Sequence, residues 1–175
     1  MMAIATVFDD DALVGDEFEA LYRSSAGELY AYVASLLRDR AAAEDVTALA
    51  FERAYRRRAI FDVRRGSARA WLFAIARNAA LDELRRRRRT GALTVEVADE
   101  RALDPELDAE LAERRVLVRG GLAKLAPAER EVILLKFVGR LSNAELGRVL
   151  GCSESSAGTR LHRAVERLRE ACGAA

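Results

Sequence analysis

Apolar side chains recur at helical spacing along most of the chain. Phe18, Leu21, Tyr22, Leu29, Tyr30, Val33, Leu36 and Leu37 form one stripe, which predicts a long helix from about Asp16 to Leu37. A second helix is predicted from about Ala41 to Ala59, with Val46, Leu49, Ala50, Phe51 and Tyr55 facing inward. The segment FDVRRGS, Phe61 to Ser67, breaks the pattern. Gly66 and Ser67 there suit a loop followed by an N-cap, because a Ser hydroxyl can accept from an amide that the first helical turn leaves unpaired. Trp71, Leu72, Ile75, Ala76 and Ala79 then carry a third helix from near Ser67 into a run of arginines. Trp71 reads as core.

The pattern lapses from Thr90 to about Leu103, an acidic stretch with no lasting stripe. Asp104-Pro105-Glu106 resembles a helix start, with Asp as cap, Pro at the first helical position and acid in the first turn. That helix is predicted to run to about Leu122. Pro127 opens another, with Glu129 and Glu131 early and Val132, Ile133, Leu135 and Phe137 available to a core. Ser142 and Glu145 then have the spacing of a capping box. Leu146, Val149 and Leu150 give the helix after it a buried face, and Gly151 ends it in the manner of a left-handed C-terminal residue. Ser153 caps a last helix in which Leu161, Val165 and Leu168 repeat. A short helix, a Gly turn and a second helix make a helix-turn-helix.

Composition agrees with an all-α fold. The chain has 175 residues, of which 51% are hydrophobic and 33% charged, with only 2 prolines. The expected organisation is two small helical domains, 16–89 and 105–172, joined by a flexible acidic linker, 90–104, after an acidic tail, 1–15. The net charge of +1 conceals segregation. Residues 1–20 carry six acids and no base, and residues 21–89 carry 16 Lys and Arg against 8 Asp and Glu. Residues 90–118 are acidic again, and 119–175 hold 10 bases against 6 acids. Two basic blocks separated by an acidic one suggest two polyanion-binding surfaces.

The outward face of the last helix carries the sharpest candidate chemistry. Ser153, Glu154, Ser155, Ser156, Thr159, Arg160 and Arg163 offer short polar groups and cations. A recognition helix needs short side chains where it approaches bases and cations where it passes phosphates. In the first block, Arg85 to Arg89 are five adjacent arginines that sample every helical face, so part of the run is always available to a polyanion.

Two stretches resemble a known family. LAPAEREVILLKFVGRLSNAELGRVLGCSESSAGTRLHRAVERLR is similar to region 4 of bacterial sigma factors, and AAAEDVTALAFERAYRRRAIFDVRRGSARAWLFAIARNAALDELRRRRR to region 2. In this order, with a short acidic linker, they resemble the extracytoplasmic-function (group IV) sigma factors from roughly Phe18 to Arg169. The resemblance implies partners: core RNA polymerase, through its β′ clamp helices and β flap, promoter DNA and an anti-sigma factor. It implies a docking surface at Glu44, Asp45, Ala48 and Glu52, although the family usually has Gln where Ala48 stands. It implies that Phe61, Arg64, Arg65, Arg77, Asn78, Arg85 and Arg86 read and open the minus-ten element. There Phe61 would be a stacking face or a loop anchor, and Asn78 a donor and acceptor toward a flipped base. The face Ser153 to Arg163 would read the minus-thirty-five element through the major groove. Gly158 stands where the family often has Lys or Arg, so the promoter sequence cannot be copied from relatives.

Other classes fit less well. No catalytic site is expected: the single histidine, His162, lies on the recognition helix, and no phosphate loop or HExxH motif is present. No metal or cofactor is expected, because Cys152, His162 and Cys172 lack ligand spacing and a fourth ligand. No signal peptide or membrane-length apolar run occurs, so a cytoplasmic protein without membrane insertion is expected. The alternative is a stand-alone helix-turn-helix regulator. It accounts for the second domain but not for the first.

Overall fold

A computed structural model of the chain describes residues 15–91 and 109–173, including their side chains except those of 109–112. Most of the expected tail and linker, and the Asp104-Pro105-Glu106 helix start, lie outside the described residues. Seven α-helices and two 3₁₀ turns make up the described chain.

Three helices form the first domain: α1 (Gly15–Leu37), α2 (Arg40–Arg56) and α3 (Ala68–Thr90). The cap of α2 is Asp39, whose carboxylate accepts from the Ala42 amide at 3.0 Å. This helix ends three residues before the predicted Ala59, and a 3₁₀ turn, Arg58–Ile60, follows. A second turn, Val63–Arg65, is opened by Asp62. Gly66 (φ 139°) then leads into Ser67, which caps α3 as its sequence predicts. Gly91 closes α3 in the left-handed conformation, so the helix continues through the whole arginine run.

The second domain holds α4 (Ala109–Lys124), α5 (Pro127–Phe137), α6 (Asn143–Leu150) and α7 (Glu154–Gly173). The capping box of α6 is present: the Glu145 amide donates to Ser142 Oγ at 3.2 Å, and the Ser142 amide to Glu145 Oε2 at 2.8 Å. Gly151 (φ 67°) makes the turn into α7. Helices α4 and α7 cross closely at Gly121, where a Cβ would meet the Cys172 sulfur at 2.6 Å.

Two inward predictions need correction. Tyr55 is 49% exposed and Phe137 63% exposed. Helical spacing identifies a face, but both residues lie in the last turn of their helices, and Tyr55 is covered on one side only, by the Phe18 ring at 5.3 Å between centroids. The two domains are also not separate bodies. Buried residues from α1, α2, α3, α5, α6 and α7 form one hydrophobic cluster. Tyr32 and Phe73 of the first domain are fully buried, with ring centroids 5.5 Å apart. Phe73 abuts Gly139 of the second domain.

Candidate nucleic-acid interface

The exposed face of α7 is built by its caps. Ser153 Oγ accepts from the Ser156 amide at 3.2 Å and donates to Ser156 Oγ at 2.9 Å. Thr159 returns its hydroxyl to the Ser155 carbonyl at 3.0 Å. Ala157 and Ala164 are buried against the rest of the domain. Ser153, Glu154, Ser155, Ser156, Thr159, Arg160 and Arg163 are all exposed, as the sequence predicts. Three of their hydroxyls are held by local bonds, so Glu154, Ser155, Arg160 and Arg163 are the groups with most freedom to meet a ligand.

The loop between α2 and α3 arranges the second candidate surface. Phe61 is buried and packs on Trp71, ring centroids 5.3 Å apart. Of its two predicted roles, loop anchor is the one the packing supports. Ile60 (78% exposed) and Val63 (57% exposed) are instead the apolar groups turned outward. Sequence reasoning passes over both, although exposed apolar residues beside arginines are an unusual loop composition. Arg64 and Arg65 are exposed, and Arg64 pairs with Asp62 at 3.0 Å. That pairing holds the Asp62 carboxyl below its ordinary range. Asn78 is exposed on α3.

Arg77 is placed differently. Its guanidinium makes a two-point contact with Glu131 of α5, Nε to Oε1 at 2.9 Å and Nη2 to Oε2 at 3.2 Å. Tyr32 donates its hydroxyl to the same Oε1 at 3.3 Å. Burial and the Glu131 charge hold the Tyr32 hydroxyl well above its ordinary pKa. Arg77 and Glu131 line a cleft of about 690 Å³ shared with Arg160 and Arg163. The two predicted DNA surfaces thus meet at its rim.

The arginine run divides. Arg85 pairs with Asp82 and Arg86 with Glu83, and both remain exposed. Arg87 is turned inward, donating to Glu83 at 2.7 Å and to Asp39 at 2.9 Å. Hydrogen bonds from Arg86 and Arg87 pull the Glu83 carboxyl down to about 2. Arg88 and Arg89 are exposed. The run thus serves two faces: its central residue fastens α3 to the start of α2, and the others stay exposed.

On α2, Glu44, Asp45, Ala48 and Glu52 are all exposed on one face, and Tyr55 extends that stripe by one further turn. Glu44 pairs with Arg40 and Glu52 with Arg56 along the helix. Among the described residues no cluster of ligating side chains could hold a metal ion. Among them, too, no helix is long and apolar enough to cross a membrane.

These features define an all-helical protein whose second domain carries a helix-turn-helix and whose first presents a basic helix and loop. Residues 21–90 match the Sigma-70 region 2 family and residues 115–168 the Sigma-70 region 4 family. The ECF RNA polymerase sigma factor SigL of Mycobacterium tuberculosis is 35% identical over 153 residues, 86% of this chain and 85% of SigL. The RNA polymerase sigma factor CarQ of Myxococcus xanthus is 33% identical over 160 residues, 90% of each chain. This chain belongs to the ECF RNA polymerase sigma factors. Among solved structures, CnrH in complex with the cytosolic domain of CnrY is 28% identical with a TM-score of 0.65, covering 92% of this chain and 90% of CnrH. The sigma factor RpoE of Bartonella quintana, in complex with the anti-sigma factor NepR, gives a TM-score of 0.70 at 24% identity, covering 90% and 97%.

Proposed function

We propose that this chain directs core RNA polymerase to promoters by holding the minus-thirty-five element as duplex on α7 and the minus-ten element as an opened strand on the first domain. The observation that carries this is the exposed polar face of a doubly capped helix-turn-helix on the same chain as a basic helix and loop. Glu154, Ser155, Arg160 and Arg163 would meet the upstream duplex, the arginines on phosphates or guanine edges. Arg64, Arg65, Asn78, Arg85 and Arg86, with Arg77 when it is released, would follow the single strand. Ile60 and Val63 would offer it apolar contact while Phe61 and Trp71 brace the loop.

The face Glu44, Asp45, Ala48, Glu52 would dock on the β′ clamp helices, and the second domain on the β flap. Work with the polymerase would put the protein in the cytoplasm. The phosphodiester chemistry belongs to the polymerase, so this chain is not an enzyme. An anti-sigma factor is a further expected partner, in keeping with the inhibitor complex in which the relative RpoE was solved.

The test is reconstitution. Purified chain and core polymerase should bind without DNA, select a bipartite sequence from a random pool and transcribe from it. A chain that binds duplex DNA alone and ignores core polymerase would be a stand-alone regulator.

A further inference from the structure

We propose that the segment Ile4–Asp11 docks on its own first domain, with Phe8 and its apolar neighbours on the rings of Tyr22 and Tyr55, and Asp9, Asp10 and Asp11 on the arginines that end α2. The docking is independent of promoter reading. Its effect on nucleic-acid binding rests on the functional reading above.

Residues 1–14 lie outside the described residues. Their sequence has two parts. Ile4, Ala5, Val7 and Phe8 are apolar, and Asp9, Asp10 and Asp11 follow at once. An apolar stretch beside adjacent carboxylates is complementary to a surface that joins bare apolar groups to cations.

The seam between α1 and α2 provides that surface. Phe18 meets Tyr55 edge-on, ring centroids 5.3 Å apart. One turn further along α1 and one turn back along α2, Tyr22 meets Phe51 at 4.7 Å. The two helices are therefore antiparallel, and the start of α1 lies beside the end of α2. Phe18 and Phe51 are buried in the seam, but Tyr22 is 50% and Tyr55 49% exposed. Two half-bare rings on one seam form a continuous apolar patch, unlike single apolar residues scattered on a surface.

Cations border this patch. Arg56, Arg57 and Arg58 are consecutive at the end of α2. Arg58 lies over the Tyr55 ring at 3.9 Å and donates to the Tyr55 carbonyl at 2.8 Å. Arg56 pairs with Glu52 at 2.7 Å. Arg57 is exposed and has no ion-pair partner among the described residues. A second copy of the chain fits the patch poorly, because a self-complementary contact would set the arginines of both copies against each other.

The tether has the right length. Helix α1 begins at Gly15, just before Phe18. The chain from Phe8 to Gly15 spans at most about 25 Å when extended. Tyr22 stands about 10 Å along α1 from Gly15. Phe8 thus reaches both rings with slack. The aspartates, nearer the tether, fall beside the arginines at the same end. A connection this short holds the segment at an effective concentration of about millimolar, so individually weak contacts suffice.

The turn Arg58–Ile60 leads directly into the loop assigned to the minus-ten strand. Carboxylates docked beside it lower the local positive potential. That weakens attraction for any polyanion whatever its sequence, and leaves contacts to base edges unaffected. The segment thereby acts as a filter against nucleic acid other than promoters.

The experiment uses the full-length chain with carbon-13 labelled tyrosine, whose 4 tyrosines are Tyr22, Tyr30, Tyr32 and Tyr55. In Phe8→Ala the ring resonances of Tyr22 and Tyr55 should move, and those of Tyr30 and Tyr32 should stay. The triple variant Asp9→Asn, Asp10→Asn, Asp11→Asn should bind a labelled random-sequence single-stranded oligonucleotide about fivefold more tightly at low salt, with the difference closing as salt rises.

Unmoved Tyr22 and Tyr55 resonances in Phe8→Ala overturn the docking. Wild-type resonances that change on dilution would assign the patch to a second copy and overturn it equally. Moved resonances with no gain in oligonucleotide affinity for the triple variant would overturn the filter. Failure of the wild-type holoenzyme to transcribe would sink the functional reading and leave the tyrosine result standing.

Discussion

Gly147 lies so close to Cys152 that a Cβ on it would stand 2.7 Å from the Cys152 carbonyl oxygen. The Cys152 amide in turn donates to the Gly147 carbonyl at 2.8 Å. This double approach sets the angle between α6 and α7. Ala normally favours a helix over Gly by about 1 kcal/mol. Here the sign should reverse: Gly147→Ala should destabilise by about 1–3 kcal/mol, the usual range for an overpacked site. Urea unfolding of the variant reads this directly, and an unchanged midpoint would mean the turn relaxes freely.

Gly158 makes the opposite case. A Cβ there would meet only Asn143 Nδ2, at 3.6 Å, an ordinary contact. Gly158→Ala should therefore stabilise by up to about 1 kcal/mol. Gly158→Arg should add a cation beside the recognition face, tighten binding to upstream duplex and steepen its salt dependence by about one phosphate contact. Binding titrations across salt concentrations check both effects. A flat response would place this side of α7 away from DNA.

Within the arginine run, stability and DNA binding should separate. Arg87→Gln removes the link to Asp39 and Glu83 and should cost about 1–3 kcal/mol of folding stability. Replacing Arg88 and Arg89 by Gln should leave stability nearly intact. It should flatten the salt dependence of single-strand binding by about 0.7 for each phosphate that is no longer neutralised. If all three arginines behave alike, the division of the run is wrong.

Acid should loosen the α2–α3 junction. Glu83 titrates at about 2 in the folded chain against an ordinary 4.5. A depressed carboxylate stabilises the fold above its ordinary pKa and loses that contribution as pH falls through its folded value. The window is thus pH 4.5 down to about 2. Asp39, also lowered, acts in the same direction. Thermal melts of wild type and Glu83→Gln should differ most above this window and converge within it. Parallel curves would remove Glu83 from the acid response.

What the sequence makes legible is what is local. Ser67, Ser142 and Gly151 each act on a partner within a few residues, so their spacing is sufficient to predict them. The exposed face of α7 follows from the same periodicity. Tyr55 and Phe137 cannot be placed this way, because in the last turn of a helix their cover depends on what the tertiary fold brings beside them. Phe61 is ambiguous in sequence, because its role turns on the ring of Trp71 that the fold brings beside it. Glu131 gives no sign in the sequence, where it is one acid early in a helix. Its significance comes from Arg77, 54 positions upstream.

The enclosure of Tyr32 and Phe73 has a consequence for heat capacity and melting. Both rings are fully covered with the second domain in place, and a single buried cluster runs through the two domains. Loss of the second domain would hydrate first-domain rings that belong to the common interior, which couples the unfolding of the two. Calorimetry of the free chain should show one transition whose van't Hoff and calorimetric enthalpies agree.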